Sequence, residues 1–437
     1  MSGSPSPRVR AARLVDTVMA GRGSLAEHMV QAREGLEPRD AGFMQALVYG
    51  CLRHGPRLQF WLSRLLDKPL RPRDRIVGSV VMLGLYQLAF SRVPTHAAVS
   101  ESVEAVRELD RPRATGLVNA LLRRFQREQA ALEEAMQISE TACWMHPNWL
   151  IQAFRADWPA DWQAILASGN EEPPMSLRVN RQRASREAVL AGLAETDIEA
   201  APVAGLDDAI RLARPRPVDQ LPGFAEGQFS VQDESAQLVA DLLDPPAGAR
   251  VLDVCAAPGG KTAHLLERAP TLDVTALDRD AARLKRVNEN LERLGLQADC
   301  VAADARETAR WWDGRPFDCI LVDAPCSGTG VIRRHPDIKY LRRKSDIAGL
   351  ATLQEAILAA AFSTLVPGGR LLYTTCSVLA AENAEVIERF LAREPAAEVV
   401  AIQVPGGQRS GPGWQRLPSA AGGDGFFYAG VRRVPGK

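Results

Sequence analysis

Two cysteines stand in closely similar frames, Asp323-Ala-Pro-Cys326-Ser-Gly-Thr-Gly330 and Tyr373-Thr-Thr-Cys376-Ser377. Each follows an apolar run with strand character, Cys319 to Asp323 in the first case and Arg370 to Thr375 in the second. Both thiols are therefore expected at strand ends facing one site, and the strand ends of an open α/β sheet are where ligands bind. Pro325 and Gly328 fix a tight, exposed turn around Cys326, while Thr374, Thr375 and Ser377 surround Cys376 with hydroxyls. A thiol has a pKa of about 8.5 when unperturbed, so modest local stabilisation of the thiolate readies it for attack. Upstream, Val251-Leu-Asp253-Val-Cys255-Ala256-Ala257-Pro258-Gly259-Gly260-Lys261-Thr262 supplies a glycine turn of the kind that lets a cofactor approach the backbone. A nucleophilic thiol, a second thiol beside a carboxylate and a cofactor loop together imply covalent group transfer.

Gly259 to Thr262 has some likeness to the phosphate loop of nucleotide triphosphatases, but the spacing argues against it. That loop needs a glycine five positions before the glycine preceding the lysine, where Cys255 stands, and Pro258 removes a backbone donor. Asp278 follows the second strand of this region about twenty residues past the glycines, placed to bind the ribose hydroxyls of an adenosine cofactor. Asp304 ends the third strand similarly, where a carboxylate reaches an adenine amino group. Cys51, Cys143, Cys300 and Cys319 are expected to be small buried hydrophobes. The seven cysteines include no C-x-x-C pair and no histidine at zinc-ligand spacing, so no disulfide framework and no metal are expected, in a reducing, cytoplasmic setting.

The elements that must position these residues follow from periodicity. From about Arg8 to Ala135 apolar residues recur at helical spacing. Ile76 to Phe90, the longest apolar stretch, is too short to cross a membrane and is expected to be a buried helix. After it, Pro94 ends a helix, Thr95 caps the next, and His96 is a cap or core residue. A tryptophan-bearing helix and a proline hinge at Glu171-Glu-Pro-Pro174 lead to a compact α+β insert with strands at Met175–Asn180 and Ala209–Ala213 and a helix over Ser185–Leu193. From Gly227 onward, strands at Arg250–Val254, Asp273–Leu277, Asp299–Ala303, Asp318–Val322 and Arg370–Thr375 alternate with amphipathic helices, as in a parallel sheet covered on both faces, and a late hairpin ends with Gly425–Val431. Three domains result: 1–140, all helical; 141–228, a linker helix with the small α+β insert; and 229–437, a Rossmann-like α/β catalytic domain. The net charge is +0, yet Arg71, Arg73, Arg75 and Arg111, Arg113, Arg123, Arg124, Arg127 cluster where phosphate contact is expected.

On these residues the chain resembles the RNA cytosine-C5 methyltransferases that use S-adenosylmethionine, and within them the branch acting on small-subunit (16S) ribosomal RNA. The resemblance runs nearly end to end. The helical part resembles the antitermination factor NusB, Ser176-Leu-Arg-Val-Asn180 a small RNA-binding subdomain, and Phe229-Ser-Val-Gln-Asp-Glu-Ser-Ala-Gln237 the lead-in to the catalytic domain. Ala302-Ala-Asp304-Ala-Arg306 departs from a more glycine-rich form but keeps the aspartate. The resemblance implies that Cys376 attacks carbon 6 of the cytosine, that Asp323 holds the ring, and that Cys326 takes part in release. It also implies that Cys255, Ala256, Ala257, Pro258, Gly259, Gly260, Lys261, Asp278, Asp304 and Asp323 line the S-adenosylmethionine site, with Lys261 near base or cofactor. Arginines of the helical part and insert, Arg178 among them, would hold RNA phosphates. The expected partner is small-subunit ribosomal RNA, bound by a monomer with no DNA and no membrane; the alternative is a transfer RNA cytosine-C5 methyltransferase.

Overall fold

The computed structural model describes residues 5–420 and 422–435. These form two units, one comprising residues up to Glu171 together with Ile332–Lys344, the other Glu172–Val331 together with Ser345–Lys437.

The first unit is helical. Pro7–Met19 starts where the Ser6 side chain accepts from the Val9 amide, with proline at the first turn, and it buries Val9, Ala12, Val15 and Val18 against Pro38–Arg53 and Arg75–Phe90. Arg75–Phe90 is the buried helix expected from its apolar run. The next helix begins at Thr95 behind Pro94 with no side-chain cap, and His96 is exposed. Thr95 thus lies one residue inside the helix, past the position from which a hydroxyl serves the orphan amides, and His96 is neither cap nor core. Residues 140–168 add three short helices to this unit. So does Ile332–Lys344, which carries the helix Ile338–Leu341. Lys339 of that segment is buried, donating to the Arg53 carbonyl (2.8 Å) and to Asn170 Oδ1 (2.7 Å), and Tyr340 donates to the Leu52 carbonyl at 2.8 Å. Arg71, Arg73, Arg111, Arg113, Arg123 and Arg127 are exposed, whereas Arg75 is bonded to Asp16 and Arg124 to Glu128.

The second unit holds two sheets. Strands β1 (Ser176–Val179), β2 (Ala200–Pro202), β3 (Ala209–Leu212) and β4 (Phe229–Val231) form an antiparallel sheet in the order β2-β3-β1-β4, packed on the helix Arg186–Ala194. Phe229–Val231 therefore belongs to the insert's sheet, not to the head of the catalytic part, because Val231 pairs with Leu177 and Phe229 is buried in the insert's core. The larger sheet contains parallel β5 (Arg250–Val254), β6 (Asp273–Asp278), β7 (Asp299–Ala302), β8 (Phe317–Asp323) and β9 (Leu365–Thr375). Antiparallel β10 (Ala397–Val400), β11 (Gln408–Ser410), β12 (Gly413–Arg416) and β13 (Phe426–Arg433) complete it. Its order is β11-β12-β13-β9-β8-β5-β6-β7, with β10 on β13. β9 starts five residues before its expected position, running through Gly368-Gly369 because Leu365 pairs with Phe317 and is buried. Cys51 and Cys319 are buried as expected, but Cys143 and Cys300 are only partly so: Cys143 sits on a short helix, and β7 is an edge strand. Among the described residues one helix, Lys344–Ser363, is long and apolar enough to cross a membrane; it sends Ile357, Leu358, Ala361 and Phe362 into the core beneath the sheet.

Candidate active site

β5 sits between β6 and β8, so the carboxyl ends of β7, β6 and β5 lie to one side and those of β8 and β9 to the other. On the first side the chain turns sharply after Val254. Cys255 (φ 64°) and Gly259 (φ 94°) take left-handed backbone conformations, and a Cβ at Gly259 would come within 3.0 to 3.3 Å of Val287, so glycine serves both the turn and the close packing. Ala256 donates to the Leu277 carbonyl (3.1 Å) and the helix Gly260–Arg268 departs immediately. Asp278, buried at the end of β6, accepts from the Ala257 amide (3.2 Å) and the Asp280 amide (3.0 Å), which aims its carboxylate at the Cys255–Lys261 turn. The Ala303 amide bonds the Asp278 carbonyl at 3.1 Å, bringing Asp304 alongside. The Asp304 carboxylate is held by Arg306 Nε (2.9 Å) and Nη2 (2.6 Å), which drops its pKa to about 2.

On the second side, the register Asp323↔Thr374 sets the ends of β8 and β9 level, and the Sγ atoms of Cys326 and Cys376 lie 3.4 Å apart. Gly330 locks the two loops: its amide donates to the Cys376 carbonyl (2.9 Å) and its carbonyl accepts from Gly425 (2.9 Å). A Cβ there would stand 2.2 Å from the Gly425 oxygen and 2.8 Å from the Cys376 oxygen, both backbone, so only glycine fits. The Cys326 thiol is pushed well above the usual cysteine range, first by its hydrogen bond with Cys376 and then by burial. Either sulfur can be the donor in this contact, and the raised pKa keeps Cys326 in its thiol form.

Lys261 links the two sides. Its Nζ lies 2.6 Å from Asp323 Oδ2, and Thr374 Oγ1 donates to Asp323 Oδ1 at 3.1 Å. Burial works against the ammonium, but the charge of Asp323 and its hydrogen bond outweigh it, so the Lys261 pKa is raised. This ion pair spans 62 positions of sequence and has no local signal. The hydroxyls expected to surround Cys376 are committed elsewhere: Thr374 to Asp323, Thr375 to Asn383 Oδ1 (2.5 Å) and Ser377 to Glu382 Oε2 (2.7 Å). Each finds a carboxylate or amide acceptor in preference to the thiol, a weaker one, and the nearby charge is that of Lys261. Glu382 and Asn383, both buried, escaped the sequence reading; an acidic residue followed by asparagine shortly after the cysteine frame was their only trace.

Asp253 is another buried carboxylate of this edge. It accepts from Thr262 Oγ1 at 2.5 Å, and burial pushes its pKa from 3.8 up to about 7. The fold favours its protonated form, so its contribution to stability is complete below pH ~4 and is lost as the pH rises through 7. Asp253→Asn is expected to remove that decline, unfolding at the same denaturant concentration as the parent near pH 4 and gaining about 4 kcal/mol over it above pH 7; urea melts across that range check it.

Arg178 does not face solvent. It is fully buried, paired with both Glu267 oxygens (2.8 and 2.7 Å), and it also donates to the Gly260 carbonyl (2.7 Å) and Gln232 Oε1 (2.6 Å). Its place on β1, whose burial pattern is continuous, turns it inward onto the cofactor-turn helix, so it is excluded as a phosphate contact.

Comparisons with known proteins agree with this architecture. A family described as 16S rRNA methyltransferase RsmB/F matches residues 240–432, an RsmF/B-like ferredoxin-like domain matches 146–219, and the NusB family matches 6–127. Ribosomal RNA small subunit methyltransferase B of Pseudomonas syringae pv. tomato is 49% identical over 98% of this chain and 97% of its own, and that of Vibrio vulnificus is 47% identical over 97% and 98%. Among solved structures, a methyltransferase homolog from Pyrococcus horikoshii is 26% identical with a TM-score of 0.60, covering 67% of this chain and 97% of its own. With such identity sustained from the helical unit to the last strand, the chain belongs to the RsmB/F family of 16S rRNA methyltransferases.

Proposed function

We propose that the enzyme methylates carbon 5 of one cytosine in 16S ribosomal RNA, with S-adenosylmethionine as donor, through a covalent bond from Cys376 to carbon 6. The observation that carries the reading is the Cys326–Cys376 pair at 3.4 Å, beside the Lys261–Asp323 ion pair at the ends of adjacent strands. The donor set on the other side fits the cofactor. Asp278 and Asp304 are hydrogen-bond acceptors at neighbouring strand ends, and the ribose diol and adenine amine are donors. When bound, S-adenosylmethionine supplies an electrophilic methyl group.

Carbon 5 of cytosine is too weak a nucleophile to be methylated directly. Addition of the Cys376 thiolate to carbon 6 moves the ring's π electrons toward carbon 5 and N3, making carbon 5 nucleophilic. Asp323 accepts from the exocyclic amine, and the ammonium of Lys261 offsets the negative charge that develops on the ring. Once carbon 5 carries its methyl group, its proton must leave; the electrons of that C–H bond re-form the ring double bond as the carbon 6–sulfur bond breaks and Cys376 departs as thiolate. Once Cys376 is bonded to carbon 6, Cys326 gives its thiol proton to solvent and, as thiolate, takes the proton from carbon 5. The base must leave its stack to be reached on both faces. The exposed arginines Arg71, Arg73, Arg111, Arg113, Arg123 and Arg127 hold the flanking phosphates. On this reading the enzyme works in the cytoplasm as a monomer on RNA, without DNA or membrane.

Bisulfite sequencing of 16S ribosomal RNA from cells with and without the gene tests this: one protected cytosine is expected to lose its protection. Loss confined to transfer RNA would instead make it a transfer RNA enzyme. Asp278→Ala is expected to weaken S-adenosylmethionine binding roughly 10- to 100-fold, the worth of charge-assisted hydrogen bonds of about 1.5–3 kcal/mol, while RNA affinity stays within twofold. Calorimetry with each ligand reads both.

A further inference from the structure

We infer that Glu382 is the positioning residue that sets the spacing of the two thiols, by tying together the residue that follows each of them. Its side chain has no exposure. Oε1 accepts from the Ser327 amide (2.7 Å) and from Gln354 Nε2 (3.2 Å), and Oε2 accepts from Ser327 Oγ (2.5 Å) and Ser377 Oγ (2.7 Å). A carboxylate offers about four acceptor sites, and all four are taken. Ser327 is bonded to Cys326 and Ser377 to Cys376, on loops 50 positions apart, so one buried anion clamps both.

The surroundings fix the anion in turn. Gln354 also donates to the Pro325 carbonyl (2.9 Å), so the same amide holds Glu382 and the residue before Cys326. Asn383 donates to the Ser377 carbonyl (2.9 Å) and accepts from Thr375, gripping the residues on either side of Cys376. Tyr373 donates to the Glu382 carbonyl at 2.8 Å, fastening the turn Ala380–Glu382 to β9. The Ser327 amide and Gln354 Nε2 can only donate and both serine hydroxyls donate here, so a carboxylate, which only accepts, satisfies all four at once. Glutamine keeps the volume but turns an NH2 toward two serine hydroxyls, weakening the arm to Ser377 while the Ser327 amide keeps its oxygen.

The inference rests on the proposed use of both thiols, and its test has a readout independent of methylation. The full-length protein, without RNA or cofactor, is treated with diamide, which takes two electrons and two protons from a thiol pair to leave a disulfide and the hydrazine. Mass spectrometry of the digest then measures the rate of the Cys326–Cys376 link. For Glu382→Gln we expect that rate to fall severalfold at an unchanged melting temperature, with kcat lower by about 100-fold and the KM for RNA unchanged, since misplacing a reacting group by an ångström costs that much. Ser327→Ala and Ser377→Ala, each removing one arm, should shift both readouts in the same direction by less, and they decide the matter if Glu382→Gln does not fold. Linking at the parent's rate in the folded variants overturns the inference, as does a loss of activity expressed only in KM. Slower linking in a protein whose parent methylates no cytosine would leave the clamp standing and remove the proposed reaction.

Discussion

Cys376→Ala is expected to abolish methylation, to below ~10⁻⁴ of the parent rate, and to form no covalent complex with RNA. Cys326→Ala, with a thiol of the same kind removed 3.4 Å away, is expected to do the opposite in one respect: it still attacks carbon 6 and transfers the methyl group, then fails to let go. Enzyme and methylated RNA should accumulate as an adduct that survives denaturing electrophoresis, and combining the two substitutions should eliminate it. The asymmetry follows from the surroundings of the pair: the Cys326 thiol is pushed up by its contact with Cys376 and by burial, whereas Cys376 stands within the influence of Lys261. If the cysteines only pack the strand ends, no variant forms an adduct and both lose similar, partial activity. An adduct with Cys376→Ala alone would mean that the roles are exchanged.

The second large effect is on stability. Arg178→Met leaves Glu267 buried without its cation, and breaking a buried pair in this way costs roughly 3–5 kcal/mol. For a unit of this size the melting temperature is expected to fall by about 10 °C or more. Removing the other partner as well, in Arg178→Met with Glu267→Leu, should recover much of the loss, since apolar packing replaces a desolvated pair without leaving a charge behind. Arg178 also holds the Gly260 carbonyl at the start of the helix that follows the glycine turn, so cofactor affinity should fall with stability in the single variant. The salt dependence of RNA binding should not change, because the number of phosphates neutralised is unaffected. A melting temperature equal to the parent's, together with a flatter salt dependence, would return Arg178 to the RNA surface.

The sequence alone determined what local chemistry can encode. Alternating strands and helices gave the parallel sheet, because a strand buried on both faces is mostly apolar along its length, as the interior of β5, β6 and β8 is, with the run Cys319–Val322 unbroken in β8. The glycine turn was legible because left-handed backbone at Gly259 and tight packing on Val287 leave little choice of residue. The cysteine frames were legible as a pair because each ends a strand. What a side chain does with its partner was decided only by the tertiary structure. Arg178 reads in sequence as one more cation, yet the pleat of β1 aims it inward at a glutamate 89 positions away. The hydroxyls beside Cys376 read as its solvation, yet the chain brings them stronger acceptors in Asp323, Asn383 and Glu382. Ile332–Lys344 falls in sequence within the catalytic domain expected over 229–437, yet it joins the helical unit, where buried Lys339 finds the Arg53 carbonyl 286 positions away. Hydrogen bonds and ion pairs are selected by which groups the packed chain leaves within about 3 Å of one another, and that proximity is a property of the fold rather than of any window of sequence.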